Sequence, residues 1–170
     1  MPNLKLTTCF WCDGTFDPKE AANFYVSIFP SSRIEHVQYY TSAASEVHDH
    51  AAGGVMTVSF TPGDHPFVIL NGGLHPNAKH DDSVSFVIEC EDQVEIDHYY
   101  DKLSQGSADE RKNCGWVADK FGVTWQVMPK VLYEYLKDKD SAKVMRVTNA
   151  MIGMKKMMVD GLRKAFESEA

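Results

Sequence analysis

Hydrophobic and polar residues alternate along several short stretches of the chain, and a repeat of two residues predicts β-strands. The clearest stretch is residues 123–128, whose two faces carry Val123, Trp125 and Val127, and Thr124, Gln126 and Met128. A tight turn is predicted before it, because Gly122 tolerates a positive φ and the Asp119 carboxylate can accept hydrogen bonds from nearby backbone amides. Pro129 lacks an N–H and ends the strand. We therefore predict a hairpin with one apolar face, and we expect Gln126 on the other face to point into a cavity.

A second pattern predicts amphipathic helices. Asp17, Pro18 and Glu20 form a helix start, with a capping carboxylate, a proline at the first helical position and an acidic residue in the first turn. Apolar residues then recur at helical spacing as far as Ile28, and the sequence Pro-Ser-Ser at 30–32 ends this helix. Residues 42–54 indicate an exposed loop, and residues 71–82 a polar connector. Further strands are predicted over residues 4–12, 33–41, 55–61, 66–70, 83–90 and 108–117.

A shift of 75 positions along the chain superimposes this helix start and an aromatic pair on a second predicted helix, residues 93–103. The matched residues are Asp17 and Asp92, Glu20 and Glu95, Phe24 and Tyr99, Tyr25 and Tyr100, Ile28 and Leu103, and Trp11 and Phe86. Such a repeat predicts two βαβββ-type modules, residues 4–73 and 83–129, within a single α+β domain spanning residues 1–170. We expect two curved mixed sheets with a concave cleft between them.

After Pro129 the pattern changes to C-terminal helices within residues 131–168, predicted over 131–136, 141–152 and 155–166. Ser141 is the predicted cap of the second of these helices. Met154, Met158, Leu162 and Phe166 recur at helical spacing and predict an apolar stripe on the last one. Two interpretations stay open: this helix packs on its own sheet, or it forms a lid or a subunit contact.

Composition narrows the class of protein. A chain of 170 residues with 44% hydrophobic content supports one folded domain. The formal net charge of −7 argues against a nucleic-acid partner, which a basic surface would bind. The sequence contains no apolar stretch long enough to cross a bilayer, and its first residues lack the apolar segment of a secretion signal, so we expect a cytoplasmic protein with no membrane partner. Four cysteines fit a reducing compartment better than a disulfide framework.

Several short motifs are spread over nearly the whole chain. They are Phe10-Trp11-Cys12-Asp13-Gly14, Glu20-Ala21-Ala22-Asn23-Phe24-Tyr25, Leu70-Asn71-Gly72-Gly73, Cys90-Glu91-Asp92-Gln93, Cys114-Gly115-Trp116, Asp119-Lys120-Phe121-Gly122, Trp125-Gln126, Asn149-Ala150-Met151 and Gly153-Met154-Lys155-Lys156. Together they resemble the vicinal oxygen chelate superfamily, which includes glyoxalase I, extradiol dioxygenases and bleomycin-resistance proteins. Within it, the chain is most similar to the 3-demethylubiquinone 3-methyltransferase-like branch related to phosphonate-operon B-type proteins. The resemblance implies a glyoxalase-like fold and a homodimer.

Metal enzymes of that superfamily draw His and Glu ligands from the first and last strand of each half. The matching positions here offer Leu6, Thr7, Thr8 and Cys9 in the first strand, no donor side chain in residues 67–70, and Ser83 or Ser85 in the fifth strand. Gln126 alone stands where a glutamate is expected, and one neutral amide does not replace several imidazole or carboxylate ligands. We therefore predict that the superfamily's metal site is absent, and we expect no cofactor.

Other residues with possible chemistry are weaker candidates. Cys9 and Cys12 are three positions apart, which on a strand sends the thiols to opposite faces, so core packing is favoured over a metal or redox role. The segment His48-Asp49-His50 could gather a metal with His75 and His80 if the loops met, although loop histidines are more often solvated. Asn71-Gly72-Gly73 lets a ligand approach the backbone but lacks the strand, glycine-rich turn and helix order of a nucleotide or S-adenosylmethionine site.

An aromatic pocket is the remaining candidate. Its predicted walls are Trp11, Phe67, Trp116 and Trp125, and the predicted polar groups that orient an organic ligand are Asn71, Ser85 and Gln126. The alternative interpretation places all four aromatic residues in the core. Our leading hypothesis is a glyoxalase-like protein that binds a small organic ligand without a metal, with no catalytic residue assigned. The alternatives are an enzyme, either a metal-dependent lyase, isomerase or dioxygenase or the methyltransferase that the family is named for, and a regulatory or interaction module that uses the last helix.

Overall fold

The computed structural model describes residues 6–45, 50–75, 82–107 and 113–168. The chain divides into a first unit, Met1–Lys79, and a second unit, His80–Ala170. The strands are β1 Thr8–Cys12, β2 Arg33–Tyr39, β3 Val55–Thr61, β4 Phe67–Asn71, β5 Phe86–Cys90, β6 Trp116–Ala118 and β7 Thr124–Pro129. The helices are α1 Pro18–Ile28, α2 Ser42–Ser45, α3 Gln93–Leu103, α4 Lys130–Tyr135, α5 Ser141–Ile152 and α6 Val159–Glu167. The predicted α+β class with mixed sheets and C-terminal helices is confirmed.

The first unit is a four-stranded sheet in the order β1-β4-β3-β2, with α1 packed against β2, β3 and β4. β1 runs parallel to β4, and the other neighbours are antiparallel. α1 begins where its capping signal predicts, since the Asp17 carboxylate accepts hydrogen bonds from the amides of Lys19 and Glu20. The core of this unit is aromatic, and its contacting rings belong to Phe10, Tyr25, Phe60 and Phe67.

The second unit contains a three-stranded sheet in the order β5-β7-β6, with α3 packed against all three strands. β5 runs parallel to β7, and β6 is antiparallel to it. Asp92 caps α3 by accepting from the amide of Glu95, and the Glu95 carboxylate accepts from the amide of Glu91. Trp125 and Val127 on β7 are buried in the core of this unit.

The two units share a topology. In each, the first strand lies parallel to the last, and the last lies antiparallel to the strand before it. The shift of 75 positions holds for the helices α1 and α3, whereas the ends of β1 and β5 are 78 positions apart because residues 13–17 link the first pair and only residues 91–92 the second. At the 75-residue shift the counterpart of β2 falls on residues 108–114, of which 108–112 lie outside the described residues.

The C-terminal helices differ from the prediction at two points. Asp140, not Ser141, caps α5, because its carboxylate accepts from the amide of Ala142. The last helix begins at Val159 rather than at residue 155, so Met154 lies outside it and the predicted four-residue stripe is wrong. The cause is competition for hydrogen bonds: the carbonyls of Met154 and Lys155 accept from the amides of residues 114 and 115, which a helix start would not allow.

The remaining differences lie at element ends. The predicted loop 42–54 contains the short α2, and residues 46–49 lie outside the described part. β5 begins at Phe86, so Ser83 and Ser85 precede the strand, while Asn71 is the last residue of β4 rather than the first of a connector. Within the residues the structure describes, no helix has the length and apolar character needed to cross a bilayer.

Candidate functional site

The hairpin between β6 and β7 is organised by one buried carboxylate. Asp119 is 4% exposed, and its Oδ1 accepts from the amides of Phe121 at 2.9 Å and Val123 at 3.1 Å. Its Oδ2 accepts from the indole Nε1 of Trp125 at 2.8 Å. Gly122 takes the positive φ of +84° that the turn requires. The predicted turn is confirmed, and the same carboxylate fixes the orientation of a tryptophan on the following strand.

Trp116, Gln126 and Val87 share one face of the second sheet, and Ser85, just before β5, is hydrogen-bonded to Gln126. These four residues are called here the Gln126 face. Trp116 and Gln126 stand directly opposite each other across the antiparallel pair β6 and β7, which places their Cβ atoms roughly 5 Å apart on the same side. Gln126 Nε2 donates to Ser85 Oγ at 2.7 Å. Val87 is the partner of Gln126 on β5 and is 49% exposed. The Gln126 face therefore combines an indole with an uncharged amide and hydroxyl, next to solvent.

The Cys90 thiol of this sheet is not suited to nucleophilic chemistry. Cys90 ends β5 and is fully buried, and burial, followed by the negative charges of Glu95 and Asp92, raises its pKa to about 12. The thiol therefore stays protonated at neutral pH, whereas a nucleophilic cysteine needs a lowered pKa. Hydrogen bonding is the chemistry that the Gln126 face offers.

Two of the predicted pocket walls are core residues. Trp125 is 3% exposed and contacts Phe86 with ring centroids 5.2 Å apart, while its indole N–H is held by Asp119. Phe67 is 4% exposed and lies among the aromatic rings of the first unit. Along β7, Trp125 alternates with Gln126, so the two side chains leave the sheet on opposite faces. For these two aromatic residues the structure favours the core alternative.

Trp11 and Asn71 meet at the end of β4 in the first unit. Trp11 Nε1 donates to the carbonyl of Gly73 at 2.9 Å, and the indole covers Gly72 so closely that a Cβ there would lie 2.2 Å from a ring carbon. Asn71 Nδ2 donates to the carbonyl of Val55 at 3.0 Å, whereas its buried Oδ1 has no hydrogen-bond partner among the described residues. Because Gly72 has no side chain, the indole of Trp11 can pack directly against the backbone of the Asn-Gly-Gly segment.

Tyr40 lies beside Asn71 and His50 beside Tyr40, a placement that the sequence did not predict. The Tyr40 hydroxyl donates to the carbonyl of Asn71, and its ring stacks on His50 at 4.6 Å between centroids. The rings of His75 and Trp11 form a T-shaped contact with their centroids 5.6 Å apart. These contacts join residues far apart in the chain, so no local pattern could have indicated them. His48, Asp49 and His80, the other histidine-loop candidates, lie outside the described residues.

The side chains at the superfamily's ligand positions do not fit a metal ion of the kind that its enzymes hold. Thr8 Oγ1 is hydrogen-bonded to His65 Nε2 at 3.0 Å, and Gln126 Nε2 is committed to Ser85. Hydroxyl and amide groups are poor substitutes for the imidazole and carboxylate ligands of such metals. Across the described ranges, no three His, Cys, Asp or Glu side chains gather closely enough to hold a metal ion.

The two cysteines of β1 are separate free thiols. Cys9 is exposed and Cys12 is buried, as expected for opposite faces of a strand. Partial desolvation raises the pKa of the Cys9 thiol, and burial raises that of Cys12, whose Sγ donates to the carbonyl of Phe16 at 3.0 Å. A raised pKa disfavours the thiolate that metal binding or redox exchange would need.

Comparison with known proteins places the fold. The sequence model of a family described as 3-demethylubiquinone-9 3-methyltransferase matches residues 4–128. A solved Bacillus cereus structure described as a PhnB protein is 28% identical, with a TM-score of 0.62, over 74% of this chain and 99% of that one. The protein PA1353 from Pseudomonas aeruginosa matches at 16% identity and a TM-score of 0.54, over 75% of this chain and 98% of that one.

A third solved structure is the fosfomycin resistance protein FosX from Mesorhizobium loti, at 15% identity and a TM-score of 0.52, over 81% of this chain and 99% of that one. The comparison with curated proteins gave no match. The predicted relationship to the vicinal oxygen chelate superfamily and its glyoxalase-like fold is confirmed by the family and structural matches. The family match ends at residue 128, so α4, α5 and α6 lie beyond it.

Proposed function

Because this chain belongs to the 3-demethylubiquinone-9 3-methyltransferase family, we propose that it is a glyoxalase-like protein that binds a small organic ligand without a metal ion. The binding surface includes the Gln126 face of the second sheet. The observation that carries the proposal is the hydrogen bond of 2.7 Å from Gln126 to Ser85, beside Trp116 on a face that is partly open to solvent. Ligand sites in proteins commonly combine aromatic surface with a few fixed polar groups.

In the first unit, Trp11 supports the same proposal, and Asn71 lies on the neighbouring strand, paired with Cys12. Trp11 lies on the face of β1 opposite the aromatic core, and it is only half-buried. The backbone beneath it is fixed by the hydrogen bond to Gly73. Phe67 and Trp125 contribute from the other side of each sheet, where their packing holds β4 and β7 in place.

Binding can be tested by tryptophan fluorescence with a metabolite library. A ligand on the Gln126 face should quench Trp116, and the signal should weaken in Trp116→Ala and Gln126→Ala. Tyr39→Ala is the matched control, because Tyr39 is an exposed aromatic residue of the first unit. Binding signals that persist unchanged in both Gln126-face variants would place the ligand elsewhere and refute this site.

The absence of a metal is a separate part of the proposal. It is supported by the donor groups present, which are hydroxyls and one amide where the superfamily's enzymes use imidazoles and carboxylates. Elemental analysis of protein purified without chelators should give substoichiometric zinc, nickel and iron. One equivalent of any of these per chain would contradict it.

The family description names a methyltransferase, and this is the alternative function. The described loops that lead from a strand into a helix are residues 13–17, 40–41 and 91–92, and none of the three contains a glycine-rich turn of the kind that binds nucleotides. We therefore expect calorimetry to detect no binding of S-adenosylmethionine, and measurable binding would favour the methyltransferase.

We further propose a homodimer, for which sedimentation should give twice the chain mass of 19.1 kDa.

A further inference from the structure

We infer that the Ser85–Gln126 pair selects neutral planar ligands that carry a hydrogen-bond donor next to an acceptor, as a primary amide or a lactam does. The inference rests on the proposed function and specifies the ligand class for the Gln126 face. It follows from which polar atoms of the pair are hydrogen-bonded to each other and which can still form hydrogen bonds with a ligand.

Each member of the pair keeps one group of the right kind. Gln126 uses an N–H to donate to Ser85 Oγ, and among the described residues its carbonyl Oε1 makes no hydrogen bond. Ser85 accepts that bond, so its own O–H remains able to donate. A ligand amide could then accept from the serine O–H and donate to Oε1, which closes a ring of three hydrogen bonds. An ester or ketone ligand could accept from the serine O–H but has no N–H to donate to Oε1, so it could form only one of the two bonds to the pair.

The surroundings favour an uncharged ligand. The pair itself carries no charge, and Oε1 is an acceptor that repels an anionic oxygen. Glu89 follows Val87 on the same face of β5, so a ligand carboxylate would meet a negative charge there. Lys130, which directly follows β7, is already paired with Glu91. The indole of Trp116, opposite Gln126, supplies a flat apolar surface for the ring of such a ligand.

Four matched probes separate these requirements: benzamide has a donor and an acceptor, acetophenone an acceptor only, aniline a donor only, and benzoate is anionic. Ligand-observed NMR and calorimetry on the whole chain give the affinities. We expect benzamide to bind about tenfold more tightly than each of the others, since a polar group left unpaired in a binding site costs roughly that factor.

Two variants test whether the preference for benzamide depends on the Ser85–Gln126 pair. Gln126→Met keeps the side-chain length without the amide, and Ser85→Ala removes the hydroxyl; each should abolish the preference for benzamide. Gln105→Met is the control, because Gln105 is an exposed glutamine just after α3. Circular dichroism and a denaturation midpoint establish that each variant is folded. If a variant does not fold, the four-probe ranking on the unaltered chain still decides.

The outcomes distinguish this inference from the proposed function. Equal affinity for all four probes, an unchanged preference in Gln126→Met, or no binding of any probe would overturn the inference. The proposed function would still stand if a metabolite from the library bound and Trp116→Ala removed that signal. The proposed function falls if the library also gives no ligand, or if the binding signals persist unchanged in both Trp116→Ala and Gln126→Ala.

Discussion

The indole N–H of Trp125 donates to the carboxylate of Asp119, six residues earlier, at 2.8 Å. This bond connects the turn of the β6–β7 hairpin to the core of the second unit. Because Asp119 also accepts from two backbone amides of the turn, one side chain sets the turn and orients the tryptophan. The Gln126 face depends on this arrangement, since Gln126 is the next residue on the same strand.

Asp119→Ala should destabilise the protein by about 1–3 kcal/mol, because it leaves buried donors unpaired. Asp119→Asn should be partly destabilising, since one amide oxygen cannot accept all three bonds. Urea denaturation measures both changes. Asp64→Asn is the control in an exposed turn. A denaturation midpoint in Asp119→Ala equal to that of the control would show that the carboxylate does not hold the hairpin.

The contact between Trp11 and Gly72 gives a second prediction. A methyl group on Gly72 would lie 2.2 Å from the indole, which no small adjustment relieves. Gly72→Ala should therefore displace Trp11, destabilise the protein by about 1–3 kcal/mol and shift its tryptophan emission.

Gly153→Ala is the matched control for Gly72→Ala. An added Cβ at Gly153 meets its nearest atom at an ordinary 3.6 Å, and the backbone there has a φ of −77° that alanine accepts. Thermal unfolding and emission spectra should be nearly unchanged in the control. A Gly72→Ala protein with the same spectra and midpoint as the control would mean that the indole does not rest on this backbone.

Local signals in the sequence were sufficient for most of the fold. The caps Asp17 and Asp92, and the turn after Asp119, each act over two to six residues, so α1, α3 and the hairpin were predicted with nearly correct ends. The start of α6 was not, because the residues before it are held by partners more than 30 positions away. The helix propensity of a local segment contains no information about a hydrogen-bond partner so distant in the chain.

The candidate site shows the same division. Alternation along 123–128 correctly separates Gln126 from Trp125 and makes the face of Trp125 the more apolar one, yet it does not tell whether the tryptophan lines a pocket or packs in the core. The structure decides this through Asp119, which draws Trp125 inward. The bond between Ser85 and Gln126 spans 41 positions and has no signature in sequence.

Gln93 is the residue that joins the C-terminal segment to α3. Its Oε1 accepts from the amide of Val159 at 2.9 Å, at the start of α6, and its Nε2 donates to the carbonyl of Met157 at 3.2 Å. The first residue of α6 has no side-chain cap of its own, so this glutamine takes that role. Gln93→Ala should weaken the docking of α6 by about 1–2 kcal/mol.

Hydrogen exchange tests the role of Gln93. Amides of α6 should exchange faster in Gln93→Ala, while those of α1 in the first unit should keep their rates. Gln105→Ala is the control, because Gln105 is exposed just after α3, the helix that begins with Gln93; this variant should leave the amides of α6 protected. Equal protection of α6 in both variants would contradict a capping role for Gln93.

Asp97 makes part of the stability depend on pH. Its pKa is lowered chiefly by a hydrogen bond from Lys156 and then by one from Gln93. Because the folded pKa lies below the unfolded value of about 4, this contribution is complete above that value and is lost as the pH falls through the folded pKa. The pair is partly exposed, so the effect should stay below about 1 kcal/mol.

Urea midpoints at pH 6 and pH 3 should therefore differ less in Asp97→Asn than in the unaltered protein or in Asp64→Asn. An equal loss of stability in all three would show that Asp97 is not a source of the pH dependence.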